Sequence, residues 1–157
     1  MRLRAVLVVA AMALAVPSAA AARPANRHHP ANASAPSIVG TWSAQVTPQG
    51  PGATPPFQSL LTFTRDHGVV ETESDEPGTG LGSWQHVGPN RYAFAFEIFI
   101  FTPAGTPGGH IVVNSVSTLA RGTLSGPFRF KVFNPAGTVV QSGRGTATAT
   151  RFVIPPF

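Results

Sequence analysis

The amino-acid sequence predicts an all-β protein, an eight-stranded antiparallel up-and-down β-barrel. Eight segments of strand length follow Ser37, rich in β-branched and aromatic residues and bounded by Gly, Pro, Asn and Asp. No segment of this part of the chain has the 3.6-residue periodicity of a helix. Short and long connections alternate between the segments, so an even number of strands places the long loops at one end, as in a barrel with one mouth.

The first element, residues 1–22, is predicted to be a secretory signal peptide. Arg2 and Arg4 precede an unbroken apolar stretch, residues 5–16, which is followed by small residues. The stretch is too short to span a membrane, since a spanning helix takes about 20 residues. We therefore expect no membrane span and a secreted, extracellular protein.

The next element, residues 23–37, is predicted to be a disordered tail, because it has three prolines and no large apolar side chain. The barrel domain is expected to occupy residues 38–157. The whole chain lacks cysteine, so the barrel must be stable without disulfides. Its Ala, Gly and Pro content and its excess of Arg over Lys indicate a GC-rich bacterial genome.

Each predicted strand ends at a turn signal. The strands are expected, in order, at residues 38–47, 57–64, 69–74, 81–87, 91–101, 110–119, 123–133 and 138–152. Hairpin turns are predicted after the even strands, at residues 66–68, 88–90 and 121–122. The connections after the odd strands are expected to form the mouth, and these are residues 48–56, 75–80, 102–109 and the shorter 134–137.

Two of the mouth connections share a sequence. Phe-Thr-Pro-Ala-Gly-Thr at residues 101–106 recurs as Phe-Asn-Pro-Ala-Gly-Thr at residues 133–138. Proline presets φ and glycine supplies a positive φ, which is typical of a tight turn. We expect the two segments to use the same turn chemistry.

Alternation along the strands predicts an apolar interior. Alternate residues 92–100 of the fifth strand form one almost wholly apolar face, and symmetric pairing about Pro89 would put Trp84 opposite Phe94 and His86 opposite Tyr92. The predicted ligand-binding residues are Trp84, His86, Tyr92, Phe94, Phe96, Phe128 and Phe130.

Glu97 is the only acid within the apolar fifth strand, and its facing leaves two alternatives open. Pointing inward, it would have a raised pKa and could act as a general acid or base. Pointing outward, it would pair with an arginine of a neighbouring strand, and Phe99 and Phe101 would then form an exposed apolar contact for a homo-oligomer.

The other acids of the mouth, Glu71, Glu73, Asp75 and Glu76, are expected to form a solvated rim.

Charge and motifs exclude several classes of function. Four of the positive charges behind the formal net charge of +5 lie in residues 1–37, so the barrel domain is nearly neutral and nucleic acid is not an expected partner. We expect no cofactor and no metal site, since His86 and His110 fall at opposite ends of the barrel. The chain also lacks nucleophile-elbow, phosphate-loop and zinc-protease motifs.

Gly40-Thr41-Trp42 at the start of the first strand, the long first loop and Arg151 near the end of the last strand resemble the lipocalin, or wider calycin, pattern. The resemblance implies that Trp42 closes the floor of the barrel and that Arg151 packs on it through a cation–π contact. The layout is also similar to that of the allene oxide cyclase and dirigent barrels.

Three functions fit these expectations. The leading hypothesis is a secreted barrel that binds a small apolar ligand. The alternative is a cofactor-free cyclase or isomerase of the allene oxide cyclase type, with Glu97, Tyr92 or His86 handling a proton. A third hypothesis is a filled barrel that acts as a structural or interaction module.

Overall fold

The computed structural model describes residues 37–75 and 77–154. The predicted signal peptide and, apart from Ser37, the predicted tail lie outside these residues, as does Glu76. Within the described part of the chain all regular structure is β-strand. None of the described residues forms a helix of the length and apolarity needed to cross a membrane.

Eight strands follow one another along the chain. They are β1 (Gly40–Gln49), β2 (Phe57–Phe63), β3 (Gly68–Glu73), β4 (Thr79–Gly88), β5 (Arg91–Phe101), β6 (Pro107–Ala120), β7 (Thr123–Phe133) and β8 (Val139–Arg151). The predicted bounds of β5 and β7 agree with these, and the other strands differ from the prediction by a few residues at their ends. The largest difference is at β6, which begins before the predicted residue 110.

The strands form one closed antiparallel barrel in sequence order, as predicted. Each strand pairs with its neighbours in the chain, and β1 pairs with β8 to close the sheet. The expected register of β4 and β5 is confirmed, since Trp84 lies opposite Phe94 and His86 opposite Tyr92. Closure satisfies the backbone groups that an open sheet would leave at its edges.

Side-chain alternation separates the inner and outer faces as the sequence predicts. On β5, Tyr92, Phe96 and Ile98 are buried, whereas Phe99 and Phe101 are each 62% exposed. The small residues of β8 face inward because large rings from β7 lie against them. A Cβ atom at Gly143 would lie 2.4 Å from the Phe130 ring, and one at Gly145 would lie 2.6 Å from the Phe128 ring.

The connection expected over residues 102–109 is shorter than predicted. A tight turn over residues 102–106 joins β5 to β6, which already begins at Pro107. The Thr102 amide donates to the Thr106 carbonyl over 2.9 Å, and the Gly105 amide donates to the Thr102 carbonyl over 2.8 Å. The same two bonds, 3.0 and 2.9 Å long, close residues 134–138. Gly105 and Gly137 have φ angles of 76° and 77°, so the repeated sequence makes the same turn twice.

The end of the barrel away from these turns, where β1 begins and β8 ends, is closed by two tryptophans and is called the floor here. Trp42 is 1% exposed, and its Nε1 donates to the Ile38 carbonyl over 2.7 Å. Trp84 donates from Nε1 to the Thr64 carbonyl over 2.9 Å, and the His67 ring stacks on it with centroids 4.7 Å apart. Further buried residues fill this half, namely Ile38, Phe63, Val69, Tyr92, Leu119 and Leu124.

Candidate ligand cavity

The half of the barrel nearer the mouth is hollow. It holds a cavity of about 800 Å³, which reaches the loop between β1 and β2. Apolar side chains form much of its lining, and those of β2, β5, β6 and β7 include Phe57, Leu61, Phe94, Phe96, Ile111, Val113, Phe128 and Phe130. Because the floor is packed and the mouth is not, the barrel has the shape of a cup.

The structure divides the predicted ligand-binding residues into two groups. Phe94, Phe96, Phe128 and Phe130 line the cavity. Trp84, His86 and Tyr92 are absent from its lining and lie towards the floor, where the His86 and Tyr92 rings are 5.1 Å apart and the Trp84 and Tyr92 rings 5.9 Å apart. The reason is their position along β4 and β5, because all three stand near the floor turn that joins these strands.

Glu97 faces outward and does not line the cavity. Its side chain is 43% exposed, and its Oε1 lies 3.8 Å from Nδ1 of His110 on β6. The partner is therefore a histidine rather than the expected arginine. The His110 ring also stacks on Phe133, with centroids 4.6 Å apart. The apolar outer surface beside Glu97 includes Phe99 and Phe101.

Glu71 is the acid that the barrel encloses, and the expected solvated rim is wrong for this residue. Its exposure is 1%, and it belongs to the lining of the cavity. The Ser59 hydroxyl donates a short hydrogen bond to its Oε1. The other carboxyl oxygen, Oε2, is buried and has no hydrogen-bond partner among the described residues.

Alternation along β3 explains why Glu71 is inside. Val69, two residues earlier, is also buried at 1% exposure, so the inner face of β3 carries this apolar side chain and two acidic ones, Glu71 and Glu73. A glycine on β4 leaves the space that the carboxyl stem needs. A Cβ atom at Gly80 would lie 3.3 Å from the Glu71 Cβ and 2.7 Å from the Phe96 ring. Sequence periodicity in phase with Val69 was the signal that could have placed Glu71 in the interior.

The surroundings of Glu71 favour its neutral form. Burial raises the pKa of Glu71 to about 7, because desolvation disfavours the carboxylate. The negative charge of Asp75 acts in the same direction, whereas the Ser59 hydroxyl and the Glu73 carboxyl group oppose the rise. Glu71 therefore changes its charge near neutral pH inside a mainly apolar cavity.

The described residues contain no group of three or more His, Cys, Asp or Glu side chains that could hold a metal ion.

At the floor, the Arg151 guanidinium carbon lies 4.2 Å from the centroid of the Trp42 ring. The same guanidinium donates short hydrogen bonds to the Val39 and Ser37 carbonyls. Arg151 thus covers the outer side of the tryptophan and holds the segment before β1. This group lies away from the cavity, whose lining includes neither residue.

Comparison of the chain with models of protein families, with curated proteins and with solved structures finds no match. The fold is therefore established by the strand pairing itself. The likeness to lipocalins depends on the eight-stranded barrel, on Gly40-Thr41-Trp42 and on Arg151.

Proposed function

We propose that the protein is a secreted, lipocalin-like barrel that binds a small, mainly apolar molecule in the cavity. The observation that carries this proposal is an interior space of about 800 Å³ above a closed floor. Pockets for small molecules have volumes of about 300–1,000 Å³ and mostly apolar walls with few polar groups. A cavity of this size would hold a ligand far larger than a few water molecules.

The aromatic walls support affinity because they are held in place before a ligand arrives. Phe128 and Phe130 lie against Gly145 and Gly143 and stack with ring centroids 6.5 Å apart. Phe94 packs edge-on against Phe63 of the floor core, with centroids 5.2 Å apart. Side chains that are already ordered lose little entropy on binding, so more of the apolar contact contributes to affinity.

The lipocalin-like part of the proposal is supported by the floor. In the family that the sequence resembles, a Gly-x-Trp tryptophan and an arginine of the last strand form a floor pair, and Trp42 and Arg151 stand in contact here. The extracellular location is supported by residues 1–22, whose positive start, apolar stretch and small residues are typical of a signal peptide.

Native mass spectrometry of the mature protein, purified without organic extraction, tests the proposal directly. We expect a reproducible additional mass that disappears under denaturing conditions. Titration with N-phenyl-1-naphthylamine, a neutral dye that fluoresces in apolar surroundings, provides a second test that does not depend on a retained ligand. A bare mass together with no dye binding would contradict the proposal and favour the structural-module hypothesis.

Paired variants locate the binding. Val113→Trp with Ala147→Phe adds bulk to two residues of the cavity lining, whereas Val112→Trp with Thr146→Phe adds the same bulk one residue earlier, on the outer face. We expect the inner pair to weaken dye affinity at least tenfold and the outer pair to leave it within about twofold. Equal effects would place the dye outside the cavity. Far-ultraviolet circular dichroism confirms that both proteins fold.

A second candidate, cofactor-free proton-transfer catalysis, is favoured by Glu71 rather than by Glu97, Tyr92 or His86. An acid with a pKa of about 7 in an apolar cavity is suited to general acid–base work near neutral pH. The test compares the molecules released from wild type and from Glu71→Gln after both are exposed to the same culture medium. Release of different isomers would support catalysis, and release of one identical compound would support binding alone.

A further inference from the structure

The cavity wall contains one unsatisfied polar atom. Glu71 Oε2 is buried and accepts no hydrogen bond from the described residues, although Oε1 is bound by Ser59. A buried carboxyl oxygen without a donor is destabilising, and more so when the group is charged. A donor from a molecule in the cavity would remove that cost.

The side chains of the neighbouring strands supply no donor to Glu71 Oε2 among the described residues. On β3 itself, a hydrogen bond with the Glu73 side chain lowers the pKa of Glu71. Its partner in register on β2 is Leu61, and its partner on β4 is Gly80. Phe96 of β5 packs against Gly80 and is apolar as well. The only polar contact from a neighbouring strand is the Ser59 hydroxyl, which is already used on Oε1.

The charge that acts on Glu71 is negative. Glu73 and Asp75 belong to the same side of the cavity, and Asp75 acts on Glu71 by charge repulsion. The basic residues of the lining are Arg129, Lys131 and Arg144, on β7 and β8, and β7 is four strands around the barrel from β3. None of these three is among the groups that shift the pKa of Glu71. The β3 side of the cavity is thus acidic.

We propose that the ligand is an amphipathic amine, whose ammonium group donates to Glu71 Oε2 while its apolar body lies against Phe94, Phe96, Phe128 and Phe130. The inference rests on the proposed binding function and specifies the ligand class. A hydrogen bond from an ammonium to a carboxylate is charge-assisted and stronger than one from a neutral hydroxyl. The charge of Asp75 would also attract a cation towards this wall.

Binding of the amine must be linked to proton release from Glu71. An ammonium ion favours the carboxylate, while an aliphatic amine keeps its own proton up to a pH of about 10. The affinity for the amine should therefore fall as the pH drops below the pKa of Glu71, which is about 7. A single proton linked in this way weakens binding about 30-fold between pH 8 and pH 5.5.

Calorimetric titration with decylamine and decanol tests the inference, because the two probes share an apolar chain and differ in the head group. At pH 8 we expect decylamine to bind at least tenfold more tightly than decanol. At pH 5.5 we expect that preference to disappear, while decanol affinity does not fall. Titration in buffers of different ionisation enthalpy should also show proton release with the amine alone.

Two variants assign the effect to Glu71. Glu71→Gln keeps the shape of the side chain but removes the charge, so it should bind both probes equally at both pH values. Glu97→Gln is the matched control on the outer face and should behave as wild type. Thermal melting of each variant confirms that it is folded at both pH values.

The outcomes separate this inference from the proposed function. Decylamine preference that depends on pH and is lost in Glu71→Gln supports the inference. Equal binding of both probes by the wild type overturns the amine proposal and leaves apolar binding intact. An amine preference retained in Glu71→Gln also overturns it, because another group then binds the ammonium. Binding of neither probe would overturn both proposals.

Discussion

At the scale of single residues, the floor depends on one arginine that makes three contacts. Arg151 covers Trp42 and donates to two backbone carbonyls, at Val39 and Ser37, which precede β1. These contacts join the last strand to the segment that leads into the first. Trp42 is in turn fixed from inside by its own bond to the Ile38 carbonyl. The two residues therefore stabilise the closure of the barrel as well as its floor.

Arg151→Ala should lower the free energy of unfolding by about 1–3 kcal/mol, from the lost cation–π contact and the lost charged hydrogen bonds. Urea denaturation followed by tryptophan fluorescence measures the change. Arg91→Ala is the control, because Arg91 is an exposed arginine near the same end of the barrel and should change stability by about 0.5 kcal/mol or less. Equal effects of the two substitutions would refute a specific role for Arg151.

Residue identity explains which parts of the site could be predicted. The inward positions of Phe94, Phe96, Phe128 and Phe130 follow from alternation with charged or small neighbours, which is a local property. Glu71 was expected in a solvated acidic rim together with Glu73, Asp75 and Glu76, since the sequence lacks the loop of a calcium site. The position of Glu71 is decided by Gly80 and Phe96, which lie on other strands and enclose it only after the barrel has closed.

At the scale of elements, the repeated turn is a small unit that is formed by local interactions. Both copies have the same two backbone hydrogen bonds and a glycine with a φ angle near 77°. In the second copy, Oδ1 of Asn134 also accepts hydrogen bonds from the amides of Ala136 and Thr138, 3.1 and 2.9 Å long. Thr102 takes the corresponding position in the first copy and accepts from the Thr106 amide over 3.3 Å. Asparagine and threonine thus support the same geometry through different side chains.

Gly105→Ala and Gly137→Ala should each cost about 1 kcal/mol of stability, because an L-residue with a Cβ atom is strained at positive φ. No atom lies within 4 Å of a Cβ placed at either position, so the cost is conformational rather than steric. Gly88→Ala is the control, since its nearest atom is 3.9 Å away and its φ is not positive. The melting temperature of Gly88→Ala should be higher than that of either turn variant. An equal loss of stability at all three positions would show that positive φ is not the cause.

At the scale of the whole molecule, the barrel is divided into a solid half and a hollow half. The rings of Trp42, Phe63, Trp84 and Tyr92 fill the floor, and the mouth half encloses about 800 Å³. The packed core and the cavity are therefore separated along the barrel axis. The exception is Glu71, a costly residue in the hollow half, and its charge connects the cavity to the stability of the whole fold.

The free energy of unfolding should fall by about 3 kcal/mol between pH 4.5 and pH 7 through Glu71 alone. Its pKa rises from 4.5 to about 7 on folding, so in this window the native state retains a proton that the unfolded state has lost. Each increase in pH then favours unfolding. The contribution of Glu71 to the free energy of unfolding becomes constant about one pH unit below and above this window.

Urea denaturation at pH 4, 5.5, 7 and 8 measures this dependence, with Glu71→Gln as the reference that lacks the titrating group. The free energy of unfolding of wild type, relative to that of Glu71→Gln, should fall by about 3 kcal/mol as the pH rises. An identical pH dependence in both proteins would mean that Glu71 does not titrate as a buried group.

The sequence by itself determined the eight strands, their order, the facing of β5 and β7 and the chemistry of the repeated turn. These features depend on side-chain alternation and turn residues, which act over a few neighbouring positions. Only the tertiary structure decided which part of the interior is filled, where Tyr92, His86 and Trp84 stand relative to the cavity, and that Glu71 is enclosed. The physical reason is that these properties arise from contacts between strands distant in the chain. Alternation with Val69 indicates only that Glu71 faces inward, and the contacts that enclose it come from other strands.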